Sequence, residues 1–281
     1  MSLYEKAPAK INLCLNVLRK REDGFHEMEM IMTPIDLADR LTFDLTREAI
    51  TLDSNSSFMP LDERNIVYKT AQLLKNTCKV NTGADIFIEK HIPIAAGLGG
   101  GSSDAAATLR GLNRLWELDL TLDELARLGE QIGSDVPFCV YNQTAFVSGR
   151  GEIVEPIRSF PKAWVVLVKP PKGISSWTVF KNLDISELPT YDIKAMRKEI
   201  EQNAFSDAIA YAGNALMIQA VKQNPLIIEV KDKMLKFGAD AALMSGTGPT
   251  VYGLTQNMKK AKRIVNGLKG FCREVYLVRT L

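Results

Sequence analysis

The residues best suited to chemistry in this sequence form a glycine-rich segment, Pro93 to Ala106, that reads PIAAGLGGGSSDAA. Gly97 and the glycines at 99–101 have no side chains, so their backbone N–H groups can approach an anion and adopt positive φ angles. Ser102 or Ser103 is predicted to cap the helix that follows, and a helix N-terminus attracts negative charge. The segment therefore predicts a cradle for nucleotide phosphates, with a flexible loop or a tight packing turn as the alternative.

Three common nucleotide-binding motifs do not fit this segment. A P-loop needs a lysine directly after its glycines, and none follows Gly101. A dinucleotide-binding fingerprint built on Gly97 and Gly99 needs glycine or alanine at position 102, where Ser102 stands. The protein-kinase signatures are absent from the sequence as well. The predicted phosphate cradle therefore belongs to another class.

Two further candidates for catalysis, a lysine and an aspartate, lie outside this segment. Apolar and polar residues alternate over Lys10–Val17, which predicts a half-buried strand with Lys10 and Asn12 on its polar face. Asp135 precedes an apolar run, so we expect a partly buried carboxylate that needs a cation nearby. Simpler interpretations stay open: Lys10 as an exposed strand lysine, and Asp135 as the N-cap of a helix.

The elements that must position these residues alternate irregularly along the chain. Strands and helices are interspersed without a β–α–β repeat, which predicts an α+β protein. Thr121 and Glu124 form the capping box of one predicted helix, and another helix is predicted over Asp207–Ala220. A proline-bearing stretch near residue 156 separates two halves. We therefore predict two domains, residues 1–155 and 156–281.

The composition limits the classes of protein to which the chain can belong. Its 281 residues are 46% hydrophobic and 24% charged, which is enough apolar material for a sizeable core. The net charge of +2 argues against a strongly basic nucleic-acid surface, and no apolar run reaches the roughly 18 residues that span a bilayer. The four cysteines lie far apart, without a metal-binding or redox pair. We expect a cytoplasmic protein with no nucleic-acid, membrane or obligate protein partner.

Three segments together resemble the motifs of the GHMP kinases, the superfamily of galactokinase, homoserine kinase and mevalonate kinase. They are KAPAKINL at residues 6–13, the glycine-rich segment, and LMSGTGPTVY at 243–252, in the order of the family. The resemblance implies an N-terminal domain like the second domain of ribosomal protein S5, a ferredoxin-like C-terminal domain, and an active site in the cleft between them. It also implies ATP, with Mg²⁺, as the phosphoryl donor.

The resemblance implies roles for individual residues. Asp135 is expected to take the proton of the accepting hydroxyl, while Lys10 orients Asp135 and steadies charge on the moving phosphoryl group. Asn65 is expected to contact adenine, although a role as helix N-cap explains it equally well. The residues expected to bind ATP are Asn65, Pro93, Ile94, Ala95, Ala96, Gly97, Leu98, Gly99, Gly100, Gly101, Ser102 and Ser103. The metal ligands are left unassigned.

Residues 21–30, 133–138 and 172–180 resemble the branch of the family whose substrate is a cytidine diphosphate alcohol. That branch phosphorylates a tertiary 2-hydroxyl in the non-mevalonate route to isoprenoid precursors. The resemblance implies that His26 bonds the edge of a cytosine held between the rings of Phe25 and Phe180. The implied substrate-binding residues are Asn12, Phe25, His26, Phe180, Gly246 and Thr247.

The sequence departs from this branch at two positions. Phe25 stands where tyrosine is usual, which keeps the stacking face but loses the hydroxyl, and Trp177 stands where smaller residues are common. Phe180 is equally explained as a core residue, and Gly246 as part of a tight turn. Two other functions stay open: another small-molecule kinase of the family, homoserine- or mevalonate-kinase-like, and a nucleotide-binding protein that has lost catalysis.

Overall fold

The computed structural model of the protein describes residues 2–181 and 183–281. The chain divides into two compact units. The first is drawn from residues up to 9, 37–94 and 99–142, and the second from residues 10–36, 95–98 and 143 onward. The domain boundary near residue 156 stays a prediction.

The secondary structure mixes long and short strands with helices of six to sixteen residues. The strands are β1 (Leu3–Lys20), β2 (His26–Thr46), β3 (Ile50–Ser54), β4 (Gly83–Glu89), β5 (Ala145–Gly149), β6 (Ile153–Pro156), β7 (Trp164–Lys169), β8 (Gly213–Asn214), β9 (Ala241–Met244), β10 (Val251–Thr255) and β11 (Glu274–Arg279). The helices are α1 (Ile66–Thr77), α2 (Gly100–Leu115), α3 (Leu122–Glu130), α4 (Val136–Tyr141), α5 (Ser176–Lys181), α6 (Ile193–Glu201), α7 (Phe205–Ala210), α8 (Met217–Gln223), α9 (Leu226–Lys236) and α10 (Met258–Lys269), with a 3₁₀ turn at Ile185–Glu187.

In the first unit, α1 to α4 pack beside β3, β4 and the second half of β2. The second half of β2 pairs antiparallel with β4, which pairs parallel with β3. α2 is the central helix, because it contacts α1, α3 and α4 and buries Leu109 and Leu112. The predicted capping box of α3 is confirmed, since Thr121 and Glu124 bond each other's backbone N–H.

In the second unit, β7, β9, β10 and β11 form an antiparallel sheet in the order β11-β7-β10-β9. α9 packs on β9 and β10, and α10 packs on β7 and β11. Numbered along the chain, the strand order is 4-1-3-2 with a helix after the first and third strands, which is the ferredoxin-like arrangement that was predicted. The first half of β2 pairs with β5, and β8 pairs parallel with β1.

β1 is buried on both faces, so the prediction of a half-buried strand at residues 10–17 is wrong. Lys10, Asn12 and Asn16 are buried although they lie on the polar face. The Asn16 amide exchanges two hydrogen bonds of 2.9 Å with the backbone of Tyr191, and Tyr252 Oη donates to the Asn12 carbonyl. The polar face is therefore covered by chain segments that bond the Asn16 side chain and the Asn12 backbone, as buried polar groups require.

The single helix predicted over residues 207–220 is also wrong. α7 ends at Ala210, and the chain then enters β8 before α8 begins at Met217. Gly213 pairs with Cys14 of β1, and a Cβ at Gly213 would lie 2.1 Å from the ring of Tyr191. Pairing with a strand distant in sequence thus interrupts a segment whose local pattern is helical.

Two buried carboxylates and the nearly buried ammonium of Lys90 join β2 to the strand exit before the glycine-rich segment and to the helix at the end of that segment. Lys90 Nζ contacts the carboxylate of Asp39 in β2 and lies 2.6 Å from Oδ2 of Asp104 in the first turns of α2. Asp39 Oδ1 also accepts the N–H groups of His91 and Ile92, at 2.5 and 2.8 Å. The three residues therefore fix the strand exit before the segment and the helix after it.

The two carboxylates of this triad share one ammonium group, and their burial shifts the protonation equilibria. Burial raises the pKa of Asp104 to about 8, because the attraction of Lys90 only partly offsets it and Asp39 adds to the rise. Burial alone would lower the pKa of Lys90, but the charges of Asp104 and Asp39 raise it. Asp104 Oδ1 is buried without a hydrogen-bond partner. The pKa of Asp104 in the folded protein therefore lies well above its ordinary value.

This raised pKa predicts a pH dependence of stability that Asp104→Asn removes. Between pH 4 and about 8 the unfolded chain loses the Asp104 proton while the folded chain keeps it, so the free energy of unfolding falls as the pH rises. The expected fall is at most ~1.4 kcal/mol per pH unit. Urea denaturation of both proteins from pH 5 to 8.5 measures it. The exposed Asp232→Asn is the control, and parallel profiles for wild type and Asp104→Asn would contradict the prediction.

The packing of α2 on β2 predicts a sharp steric limit at Gly111. A Cβ there would lie 2.4 Å from Cε2 of the Phe43 ring, which is fully buried. Gly111→Ala should therefore lower the free energy of unfolding by ~1–3 kcal/mol through overpacking. Gly270→Ala is the matched control, because nothing lies within 4 Å of its added Cβ. Equal midpoints of urea denaturation for the two variants would refute the steric account.

Candidate functional site

The first and third sequence motifs meet at Lys10 in the second unit. Lys10 Nζ donates to Oδ1 of Asn12 at 2.9 Å, and both side chains are buried. A Cβ on Gly246 would lie 3.6 Å from Lys10 Nζ and 3.6 Å from Asn12 Oδ1. The turn of the third motif therefore lies directly against the lysine and asparagine of the first, which excludes the interpretation of Lys10 as an exposed strand lysine.

The second motif joins the same cluster through its middle residues, 95–98. The Lys10 N–H donates to the Leu98 carbonyl at 2.9 Å, and Ser245 Oγ donates to the Gly97 carbonyl at 2.8 Å. Gly97 has a φ of 76°, and a Cβ there would lie 2.4 Å from the Ser245 carbonyl oxygen. Only glycine fits this position, because both the backbone conformation and the close approach exclude a side chain.

Sequence reasoning missed Asn214, which holds the third motif in place. Its Nδ2 donates to the carbonyls of Met244 and Gly246 at 2.9 and 2.8 Å, and the residue is buried in β8. No sequence signal marks Asn214, because it belongs to none of the three motifs and lies in a segment with a helical pattern. Its role depends on the pairing of β8 with β1.

The C-terminal end of the glycine-rich segment lies in the first unit and begins α2. Gly99 is the N-cap residue with a φ of 69° and no side-chain cap, so the prediction that Ser102 or Ser103 caps this helix is wrong. The helix begins three residues earlier because Gly99 tolerates the left-handed conformation. Residues 100–102 therefore form its first turn, where backbone N–H groups lack intrahelical acceptors. The Ser103 hydroxyl is buried and donates to the Pro8 carbonyl at 2.7 Å.

The other loop residues expected to bind ATP differ in their exposure. Ile94 and Ala95 are exposed, and Ala95 has a φ of 52°, in the left-handed region of the backbone. Pro93 is half-buried, whereas Ala96 and Leu98 are buried. Of this part of the loop, the structure therefore presents residues 94 and 95 to solvent.

Asp135 and Asn65 occupy equivalent positions before two helices of the first unit but behave differently. Asn65 caps α1, because its Oδ1 accepts the Val67 N–H at 2.9 Å, and its Nδ2 donates to the Pro60 carbonyl at 2.7 Å. Asp135 precedes α4, is half-buried as predicted, and makes no side-chain cap bond. The simple capping role is thus observed for Asn65, and it does not account for Asp135.

The aromatic residues expected around cytosine lie in the second unit. The ring of His26 stacks on that of Phe180, with centroids 5.1 Å apart and an interplanar angle of 24°. Phe180 is half-buried, so it is not an ordinary core residue. Phe25 is 50% exposed, and the Arg150 guanidinium lies 5.2 Å from its ring centroid. One face of Phe180 is therefore covered by His26, and Phe25 presents aromatic surface to solvent.

The protonation of His26 and a contact between the hydroxyls of Thr247 and Ser176 further describe the region around Phe25, His26 and Phe180. Burial, with the nearby charge of Lys20, lowers the pKa of His26, so its ring is neutral at pH 7. A neutral imidazole has one donor and one acceptor nitrogen.

Thr247 Oγ1 lies 2.8 Å from Oγ of Ser176, the first residue of α5. The third motif therefore touches the helix that carries Phe180.

Residues 2–181 and 183–281 hold no group of three or more His, Cys, Asp or Glu side chains placed to bind a metal ion. This part of the chain also contains no helix with the length and apolar character needed to cross a membrane. The four cysteines are free thiols, and Cys14, Cys139 and Cys272 are buried.

Known protein families match both halves of the chain. The GHMP kinases N terminal domain matches residues 65–143, and the GHMP kinases C terminal domain matches residues 185–274. A homoserine kinase from Cytophaga hutchinsonii, 18% identical, superposes with a TM-score of 0.74 over 98% of this chain and 94% of its own. At that identity the match shows a shared fold alone. The predicted two-domain GHMP kinase fold is confirmed.

Two closer relatives narrow the assignment. The chain is 53% identical over 282 residues to the 4-diphosphocytidyl-2-C-methyl-D-erythritol kinase of Enterococcus faecalis, with all of both chains covered. A crystal structure of a 4-(cytidine 5'-diphospho)-2C-methyl-D-erythritol kinase, 29% identical, superposes with a TM-score of 0.84 over 99% of each chain. With its three motifs and its whole length matched, this chain belongs to the 4-diphosphocytidyl-2-C-methyl-D-erythritol kinase family of the GHMP kinases.

Proposed function

We propose that this chain transfers the γ-phosphoryl group of ATP to the 2-hydroxyl of 4-diphosphocytidyl-2-C-methyl-D-erythritol, in the non-mevalonate pathway of isoprenoid precursor biosynthesis. The observation that carries the proposal is the 53% identity to a kinase of that name along the whole chain. The meeting of Lys10, Gly97 and Gly246 supports it, because three distant motifs build one buried cluster. The function rests on membership of this family, and the residue roles below are our assignments.

The phosphates of ATP bind at the start of α2. The N–H groups of Gly100, Gly101 and Ser102 and the positive end of the helix dipole favour an anion there. The contribution of Ser103 comes from the turn it helps to form, since its hydroxyl is bonded to Pro8. Mg²⁺, which usually binds through substrate phosphates, would neutralise charge on the transferred group.

Catalysis needs little more than positioning and charge, because phosphoryl transfer proceeds through a loose transition state. Asp135 accepts the proton of the substrate hydroxyl; its carboxylate is half-buried and makes no helix-cap bond. Lys10 supplies a positive charge to the moving phosphoryl group, and its bond to Asn12 fixes the direction of the ammonium. Asn12 therefore acts through Lys10.

The cytidine end of the substrate binds at His26, Phe25 and Phe180. The edge of cytosine carries an amino donor beside acceptor atoms, which a neutral His26 can match with its own donor and acceptor. The exposed ring of Phe25 supplies a stacking face, and the contact of Thr247 with α5 joins this region to the third motif.

Asn65 and the surroundings of the protein are the subject of further predictions. The contact of Asn65 with adenine would use a side chain whose oxygen and nitrogen already bond Val67 and Pro60. The domain boundary near residue 156, the cytoplasmic location and the lack of a nucleic-acid or obligate protein partner stay predictions as well.

Release of ADP from ATP and Mg²⁺ tests the activity against a panel of 4-diphosphocytidyl-2-C-methyl-D-erythritol, mevalonate, homoserine and galactose. We expect turnover of the cytidyl substrate alone. Asp135→Asn and Lys10→Ala should each lower kcat by ~10²–10⁴-fold, whereas Lys6→Ala, an exposed lysine of the same strand, should not. Turnover of mevalonate or homoserine alone would favour another kinase of the superfamily. ATP binding without any turnover would favour a non-catalytic nucleotide binder.

A change at Phe180 tests the cytidine site separately from the ATP site. Phe180→Ala should raise KM for the cytidyl substrate by about tenfold, the loss expected for one aromatic stacking partner, and leave KM for ATP unchanged. Trp177→Ala is the matched control on the same helix, because Trp177 is 66% exposed. Steady-state kinetics with each substrate varied in turn gives both constants. A rise in KM for ATP instead would place Phe180 at the nucleotide donor.

A further inference from the structure

Asp135 stands at the start of α4, a helix of only six residues. A helix this short is unstable by itself, so contacts with the rest of the protein must hold it in place. Any displacement of α4 moves the Asp135 carboxylate with it. The residues that fix α4 therefore bear on catalysis even if they do not touch the substrate.

The C-terminal end of α4 is held by Arg110 of α2. Arg110 Nη1 donates to the Cys139 carbonyl at 2.7 Å and to the Val140 carbonyl at 3.3 Å. These carbonyls lie in the last turn, where a helix leaves its acceptors unbonded. The guanidinium also places a positive charge at the negative end of the helix dipole. Arg110 thus supplies both the hydrogen bonds and the charge that this end requires.

The same guanidinium is fixed to β1 on its other side. Arg110 Nη2 donates to the Lys6 carbonyl at 3.0 Å, and Nε donates to Glu5 Oε2 at 3.2 Å. The Arg110 side chain is only 17% exposed and that of Glu5 only 14%, so solvent weakens this pair little. One side chain therefore ties α2, α4 and β1 together within the first unit.

The N-terminal end of α4 is fixed by close packing instead of charge. Val136, the residue after Asp135, lies so near α3 that a Cβ on Gly129 would be 2.7 Å from its Cγ1 atom. Packing at this end and Arg110 at the other leave α4 little freedom to slide or tilt. The position of Asp135 follows from both.

We infer that Arg110 is a positioning residue for phosphoryl transfer: it holds α4 so that the Asp135 carboxylate stays where it accepts the substrate proton. This inference rests on the role proposed above for Asp135. Arg110 acts through α4, so its loss should slow the transfer step and leave the binding of both substrates nearly intact.

Arg114 provides a matched control one turn further along α2. It contacts the carboxylate of the same Glu5 and donates to the Tyr4 carbonyl at 3.0 Å, so its bonds go to β1. Replacing Arg114 removes an arginine of the same helix and the same ion-pair network. The difference between the two arginines is the bonding of Arg110 to α4.

The first test compares Arg110→Gln, Arg110→Lys and Arg114→Gln by steady-state kinetics. Arg110→Gln should lower kcat by ~30–100-fold, the scale of a misplacement of about 1 Å, and change either KM by less than about threefold. Arg110→Lys should recover part of this loss, because an ammonium can still reach one carbonyl. Arg114→Gln should stay within about twofold of wild type. A rise in KM at unchanged kcat for Arg110→Gln would overturn the inference.

The second test places Arg110→Gln in the Asp135→Asn background and measures single turnovers with radiolabelled ATP. If Arg110 acts through Asp135, the double variant should be no slower than Asp135→Asn alone. Equal losses in both backgrounds would overturn the inference. Equilibrium dialysis of ATP counts the folded sites in each preparation, and the turnover rate is expressed per folded site. If Arg110→Gln and wild type then have equal rates, Arg110 contributes only to folding, and the inference is overturned.

These outcomes separate the inference from the function on which it rests. A fast Asp135→Asn enzyme would refute the role proposed for Asp135, and the inference for Arg110 would fall with it. A slow Asp135→Asn enzyme beside a fast Arg110→Gln enzyme would refute the inference alone. Failure of every variant and of the wild type to turn over the cytidyl substrate would refute the proposed function.

Discussion

The close approach of the third motif to Gly97 is the contact on which the cluster around Lys10 depends. Ser245 bonds the Gly97 carbonyl, and the space beside Gly97 is too small for a Cβ. This approach sets the turn that carries Gly246 against Lys10 and Asn12. A side chain at Gly97 could not be accommodated without moving this turn. Backbone packing therefore places the turn beside the lysine ammonium, and the bond to Asn12 orients that ammonium.

The second constraint on the structure is that buried charged groups need partners, and the protein provides these partners in two ways. At the glycine-rich segment, the carboxylates of Asp39 and Asp104 pair with the Lys90 ammonium, and burial raises the pKa of Asp104. A buried carboxylate with such a partner costs far less than an isolated charge. Near α4, Arg110 is instead satisfied by carbonyl oxygens and by Glu5. In both places the charged group joins chain segments that are far apart in sequence.

Local features of this fold could be predicted from sequence, whereas features that depend on distant pairing could not. The capping box of α3 follows from residues close along the chain. The burial of both faces of β1 depends on Tyr191 and Tyr252, more than 170 residues away. The split of the expected helix at 207–220 and the role of Asn214 have the same cause. Alternation and helical period report what a residue prefers locally and carry no information about which segment will cover it.

The candidate site residues also divide into those that local sequence identifies and those that depend on distant contacts. Motif spacing identified Lys10, Gly97 and Gly246, because each needs a residue type that only chemistry or close backbone approach explains. It did not identify Asn214 or Arg110, which are ordinary polar residues until their partners are known. Each bonds two carbonyl oxygens of a segment that carries a candidate site residue. Backbone carbonyls have no sequence signature, so a side chain that recognises them can be found only in the folded chain. Supporting residues of this kind are therefore the part of a candidate site that a motif leaves out.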